Sequence, residues 1–221
     1  MNRNTGFSSQ YNTDVCLCID RAVCNTPLYA SLVSNLPSLG NDIRSVFQEK
    51  AVHLTNLRIR FIFFGNNYGE DHSIIQSPCF MSYEQERIST FIHCSCVHPT
   101  NGMEALECAF KSEWCLEGWR KRHVIALITD NMPTGEAFCD NRLALSDSHD
   151  EQVQIYEKLT KLWGNKMEPG VMNNSTKRLL LFTPNVSTWH MIIENWSNSV
   201  LVPINGCSYQ FFVNAIVNCI G

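Results

Sequence analysis

The chain has no apolar run approaching the roughly 18 residues that a membrane-spanning helix needs. Its first residues, Met1 to Thr13, are polar and carry no apolar core of a signal peptide, so no export signal is expected. No Gly-x-Gly-x-x-Gly turn follows a strand and no Walker A loop occurs, so the backbone cradle that holds nucleotide phosphates is missing. The Gly-x-Ser-x-Gly elbow of an α/β-hydrolase is absent too. Charge is sparse at 17%, and Asp and Glu (21) outnumber Lys and Arg (17), a net charge of −4 that argues against a nucleic-acid surface. The one tight basic run, Arg120-Lys121-Arg122-His123, reads as a solvated connection between a helix and a strand. There is no internal repeat and no low-complexity segment.

What is abundant is cysteine. The chain has 11, an odd number, and Cys16, Cys18 and Cys108 fall inside apolar patterns where a thiol acts as a small hydrophobe. Free thiols in a reducing, cytoplasmic setting are expected. The apolar fraction of 44% over 221 residues suits one well-filled domain, read as residues 13–221 behind a flexible tail at 1–12.

Val15-Cys16-Leu17-Cys18-Ile19-Asp20 organises the rest. Apolar side chains at successive positions suit a strand buried on both faces, as in a parallel sheet. Its closing Asp falls where open α/β sheets bind ligands. Thr26 and Pro27 then read as the N-cap and first turn of a helix, interrupted at Pro37 and Gly40 and resuming over 41–49. Further strands are expected at Leu57–Phe64, His123–Thr129, Arg178–Phe182 and Val200–Ile204, with a short edge strand at Cys79–Met81. Helices are expected over 84–93, 101–113, 151–163, 186–196 and 211–220, with a loop at 94–100 and a link without period at 131–149. Strands alternating with helices predict an α/β, Rossmann-like, doubly wound fold: a mostly parallel central sheet with helices on both faces.

Two strands ending in Asp20 and Asp130 place two carboxylates on one sheet edge, a setting for a hard cation such as Mg²⁺. His93-Cys94-Ser95-Cys96-Val97-His98 alternates Cys and His but lacks the two separated ligand pairs of a structural zinc site; it reads first as a loop with partly buried thiols. A soft-metal site joining Cys24 to this loop, or a disulfide from Cys24 to Cys94 or Cys96, are lesser alternatives. His123 and His190 have no nucleophile partner in sequence. The five Trp residues (Trp114, Trp119, Trp163, Trp189, Trp196) read as core.

In order and spacing these stretches resemble the von Willebrand factor A (vWA) domain, bacterial type, over nearly the whole chain. The resemblance is carried by Val15–Asp20, Arg58–Phe64, Met103–Trp114, His123–Pro133 and Leu179–Trp196. It implies a strand order of 3-2-1-4-5-6 with one short antiparallel edge strand, and a metal-ion-dependent adhesion site built on Asp-x-Ser-x-Ser. Here that motif is degenerate: Asp20 is kept, but Ala22 and Cys24 replace the serines, and the second loop has Val97 where relatives carry Asp. The resemblance then implies metal ligands Asp20, Asp130, Cys24 and Thr100, weak Mg²⁺ binding at best, and a partner-binding rim of Asp20 to Cys24 (Arg21, Ala22 and Val23 included), Cys96, His98, Thr100, Asp130 and Asn131. The expected role is a protein-interaction (adaptor or scaffold) module contacting another protein, with no nucleic acid and no membrane. Bacterial relatives often serve stress or conflict systems. The alternatives are a metal- or thiol-dependent enzyme using Asp20 and Asp130 or Cys24 and Cys96, and a metal-free domain binding through a helix face.

Overall fold

Strict two-residue alternation within five apolar runs gives every central strand two buried faces. The computed structural model describes residues 10–21, 26–50, 52–65, 74–77, 80–82, 102–118, 120–131, 147–164 and 175–221. Its elements run β1 (Gln10–Asp20), α1 (Pro27–Asn35), α2 (Leu39–Glu49), β2 (His53–Phe64), β3 (Ile75–Gln76), β4 (Met81–Ser82), α3 (Gly102–Phe110), β5 (Lys121–Ile128), α4 (Asp147–Gly164), β6 (Lys177–Thr183), α5 (Ser187–Asn195), β7 (Ser199–Pro203) and α6 (Tyr209–Ile220). The five long strands are parallel in the order β2-β1-β5-β6-β7, and β3 and β4 pair antiparallel with the outer side of β2.

Val15, Leu17 and Ile19 point to one face, where they meet α1, α2 and α6. Cys16 and Cys18 point to the other, against α3, α4 and α5. Both sets are fully buried, so β1 contributes to two cores at once. Local chemistry sets the helix starts. Thr26 Oγ1 accepts from Tyr29 N at 3.2 Å ahead of Pro27, and Ser208 Oγ accepts from Phe211 N at 3.2 Å at the start of α6. Burying Leu17, Phe61 or Ile125 stabilises by about 1.5–3 kcal/mol each relative to leaving them in water.

The order of the long strands is the expected one, and the details differ in four places. β1 opens at Gln10, inside the segment read as tail, because Tyr11 and Thr13 are buried and Asn12 N donates to Arg120 O at 2.9 Å. The antiparallel edge is two short pieces rather than one, and β3 was not expected at all; two residues are too few to show a period. α4 starts at Asp147, within the stretch read as an irregular link. The basic run is no mere solvated connection: Lys121, Arg122 and His123 belong to β5, and His123 is buried. The helix expected over 84–93 and the loop over 94–100 lie outside the described residues.

Candidate functional site

β1 pairs with β2 on one side and β5 on the other, so the chain winds away from it in both directions. A crevice forms at such a switch point, at the carboxyl ends of the strands. The register pairs Ile19 with Ile128, which sets Asp20 beside Thr129. Both continue the alternation that sends Cys18 and Leu127 to the α3–α5 face.

Asp20 is fully buried. Its Oδ2 accepts from Thr129 Oγ1 at 2.6 Å and from Asn131 Nδ2 at 3.0 Å. The Asn131 amide also donates to Asp130 Oδ1 at 3.1 Å, so a single NH₂ group bridges the two carboxylates. Asn131 is held from three directions: its backbone N donates to Thr129 Oγ1 at 3.0 Å, its carbonyl accepts from Trp189 Nε1 at 3.1 Å, and its side chain makes the bridge. Thr129 N in turn donates to Phe182 O at 3.0 Å, tying the turn to β6.

Asp130 is exposed, yet its carboxyl titrates above the usual range, first because it has partly lost water and second because the Asp20 charge lies near. Its neighbour in sequence, Asn131, is half-buried. Among the described residues this edge thus shows solvent one carboxylate and one amide, with the second carboxylate fixed beneath them.

Two of the expected rim residues, Asp20 and Arg21, are buried. Asp20 supports the rim from below rather than forming its surface. Arg21 is buried and donates through its guanidinium to the Gly65 carbonyl at the end of β2, so it braces two strand ends. A cation on an apolar flank pays heavily for desolvation unless its donors are used, and here a backbone acceptor was in reach. Ala22, Val23, Cys24, Cys96, His98 and Thr100 lie outside the described residues. Among the described residues, no group of three or more His, Cys, Asp or Glu side chains is placed to hold a metal ion. Among the described residues the two carboxylates share an amide proton donor, and Cys24 and Thr100, the other expected ligands, lie outside them.

Sequence reasoning missed two contributors. In sequence Thr129 only closes an apolar run, and the register to β1 makes its hydroxyl a carboxylate partner. Trp189 is core, as its apolar setting predicts, but its indole N–H also fixes the Asn131 backbone. His190 Nε2 lies 2.6 Å from Asn185 Oδ1, and His123 lies at the opposite edge of the sheet.

No family model matches the chain, and no curated protein matches it. Solved structures do align with the fold. One is a mutant of the PilB minor pilin from Streptococcus sanguinis, at 10% identity and a TM-score of 0.49, over 94% of this chain and 60% of that one. This chain therefore spans less than two thirds of the pilin's length, and at that score the likeness carries no argument about function. No helix among the described residues is long and apolar enough to cross a membrane.

Proposed function

We propose that the chain is a protein-interaction module of vWA type, an adaptor or scaffold that engages another protein at the carboxyl edge of its sheet. The observation that supports this reading best is the Asn131 amide lying between Asp20 and Asp130. In the vWA family that gap is where a metal ion joins the carboxylates to an acidic group on the partner. Here an uncharged donor occupies it, which favours a metal-free contact. Asp130 then supplies a surface acceptor, suited to a Lys, Arg or hydroxyl group on the partner rather than to a carboxylate. The free state of the described cysteines (Cys16, Cys18, Cys108, Cys115, Cys207 and Cys219) supports a reducing, cytoplasmic setting.

The test is site-specific photocrosslinking. A photoreactive residue at position 130, with position 158 on α4 as control, is exposed to extract of the source cells. A discrete protein adduct from position 130 alone, lost when Asn131→Ala is added, supports the reading. Equal adducts from both positions, or an adduct that forms only with added Mg²⁺, count against it.

A further inference from the structure

The basic run of β5 is reorganised by the sheet into a cationic patch at the opposite, amino edge. Alternation sends Arg120 and Arg122 to the α1–α2–α6 face, where their guanidiniums lie 5.7 and 5.3 Å from the centre of the buried Tyr11 ring. Arg178 of β6 joins them: it pairs in register with Val124, two residues along from Arg122, and burial first, with the positive charge of Arg122 second, makes the Arg178 proton easier to lose than usual. Arg122 and Arg178, both half-buried, thus lie on the same face of neighbouring strands.

Among the described residues neither Arg122 nor Arg178 has a carboxylate at ion-pair distance; the ion pairs there are Arg58–Asp14, Lys111–Glu107 and Lys158–Glu107. Each of the two arginines donates to the carbonyl of the residue before it, at 3.0 and 2.7 Å, and Arg122 Nε is buried with no hydrogen-bond partner. Asp14, the buried acid of this edge, lies on the other face and is taken up by Arg58 at 2.7 Å and by Cys115 N at 2.6 Å. Two like charges set side by side without a counter-charge cost stability, and that cost is recovered when an anion binds.

We propose that this patch is a second docking surface, for an acidic segment of a partner protein. Charge complementarity carries the choice of occupant. The cations are spread over the neighbouring strands β5 and β6, and half-exposed Val200 of β7 continues the same face with an apolar contact. An extended acidic segment with one apolar side chain matches that layout. A nucleic acid matches it less well: Tyr11 is already covered by guanidiniums and offers no free ring for a base, and the chain as a whole is negative. With β5 eight residues long, the patch stands roughly 25 Å from Asp130, so both edges can be occupied at once.

The experiment is fluorescence anisotropy on the full chain with a short glutamate-rich peptide carrying one leucine, its glutamine counterpart, and an oligothymidylate of equal length. Wild type is expected to bind the acidic peptide in a salt-sensitive way and to ignore the glutamine peptide. The R122Q/R178Q double variant should weaken binding by about tenfold or more, and K158Q/K161Q, an equal loss of charge on α4, should not. Should the double variant fail to fold, hydrogen exchange on wild type with the peptide should protect the first residues of β5 and β6. Equal binding by R122Q/R178Q, tighter binding of oligothymidylate, or protection only around Asn131 would each overturn the proposal.

Discussion

Asn131 Nδ2 lies 3.0 Å from Asp20 Oδ2, and this contact turns a buried carboxylate into a structural acceptor. The same amide reaches Asp130 at 3.1 Å. Asn131→Asp should therefore crowd three carboxylates together. In a chelator its melting temperature should fall at neutral pH, by the equivalent of about 1–3 kcal/mol, and added Mg²⁺ or Mn²⁺ should restore part of it. Wild type should show no such metal response. A variant as stable as wild type in chelator would refute the bridge. Ala22→Ser with Cys24→Ser should raise Mg²⁺ affinity in calorimetry only once Asn131→Ala has removed the amide.

Thr129 donates the shorter bond to Asp20, at 2.6 Å. Thr129→Val keeps the shape and removes the donor, which should cost about 2 kcal/mol in urea denaturation, since bonds to a buried charged group are the stronger kind. Thr129→Ser should recover most of that. Similar losses for Val and Ser would mean that packing, not the hydroxyl, is what the site needs.

The raised titration of Asp130 has a defined sign. In the window between its ordinary value and the raised one, the folded chain binds more protons than the unfolded chain, so stability falls as pH rises. Asp130→Asn should flatten that stretch of the stability profile. Asp20→Asn should lower the Asp130 midpoint, followed by NMR, without returning it fully, because lost hydration is the larger cause.

Lys177 is a buried lysine whose ammonium donates to the Trp163 carbonyl and lies 4.4 Å over its ring. Burial lowers its proton affinity from 10.5 to about 8. Between those values the unfolded chain holds the proton more tightly, so stability should rise with pH across that window, by about 3 kcal/mol in the limit set by the shift alone. Lys177→Met should abolish the slope and be no less stable at neutral pH. A slope that persists in Lys177→Met assigns it to another group.

Thiol labelling should follow burial. Half-buried Cys108 and Cys115 should react with iodoacetamide well before Cys16 and Cys18, whose side chains are sealed beneath α3; burial also pushes the Cys18 thiol far up. Labelling of Cys16 at the rate of Cys115, read by mass spectrometry, would mean that α3 opens readily.

The amino-acid sequence by itself determined the elements that rest on local rules. Apolar runs at Val15–Ile19 and Val124–Ile128 demanded burial on both faces, which only a covered parallel sheet satisfies, and Thr26-Pro27 marked a helix start through a cap and a preset backbone angle. The neighbours of each strand were legible only through the family resemblance, because periodicity is silent about pairing. The tertiary structure alone decided the chemistry of the two edges. Thr129 became a partner of Asp20 through the register between β1 and β5, across 109 positions of sequence. Trp189 reached Asn131 because α5 packs over the turn after β5. Arg122 and Arg178 came to share a face with Tyr11 because alternation and register together choose which side of the sheet a side chain takes, and a shift of one residue would have sent each to the other core.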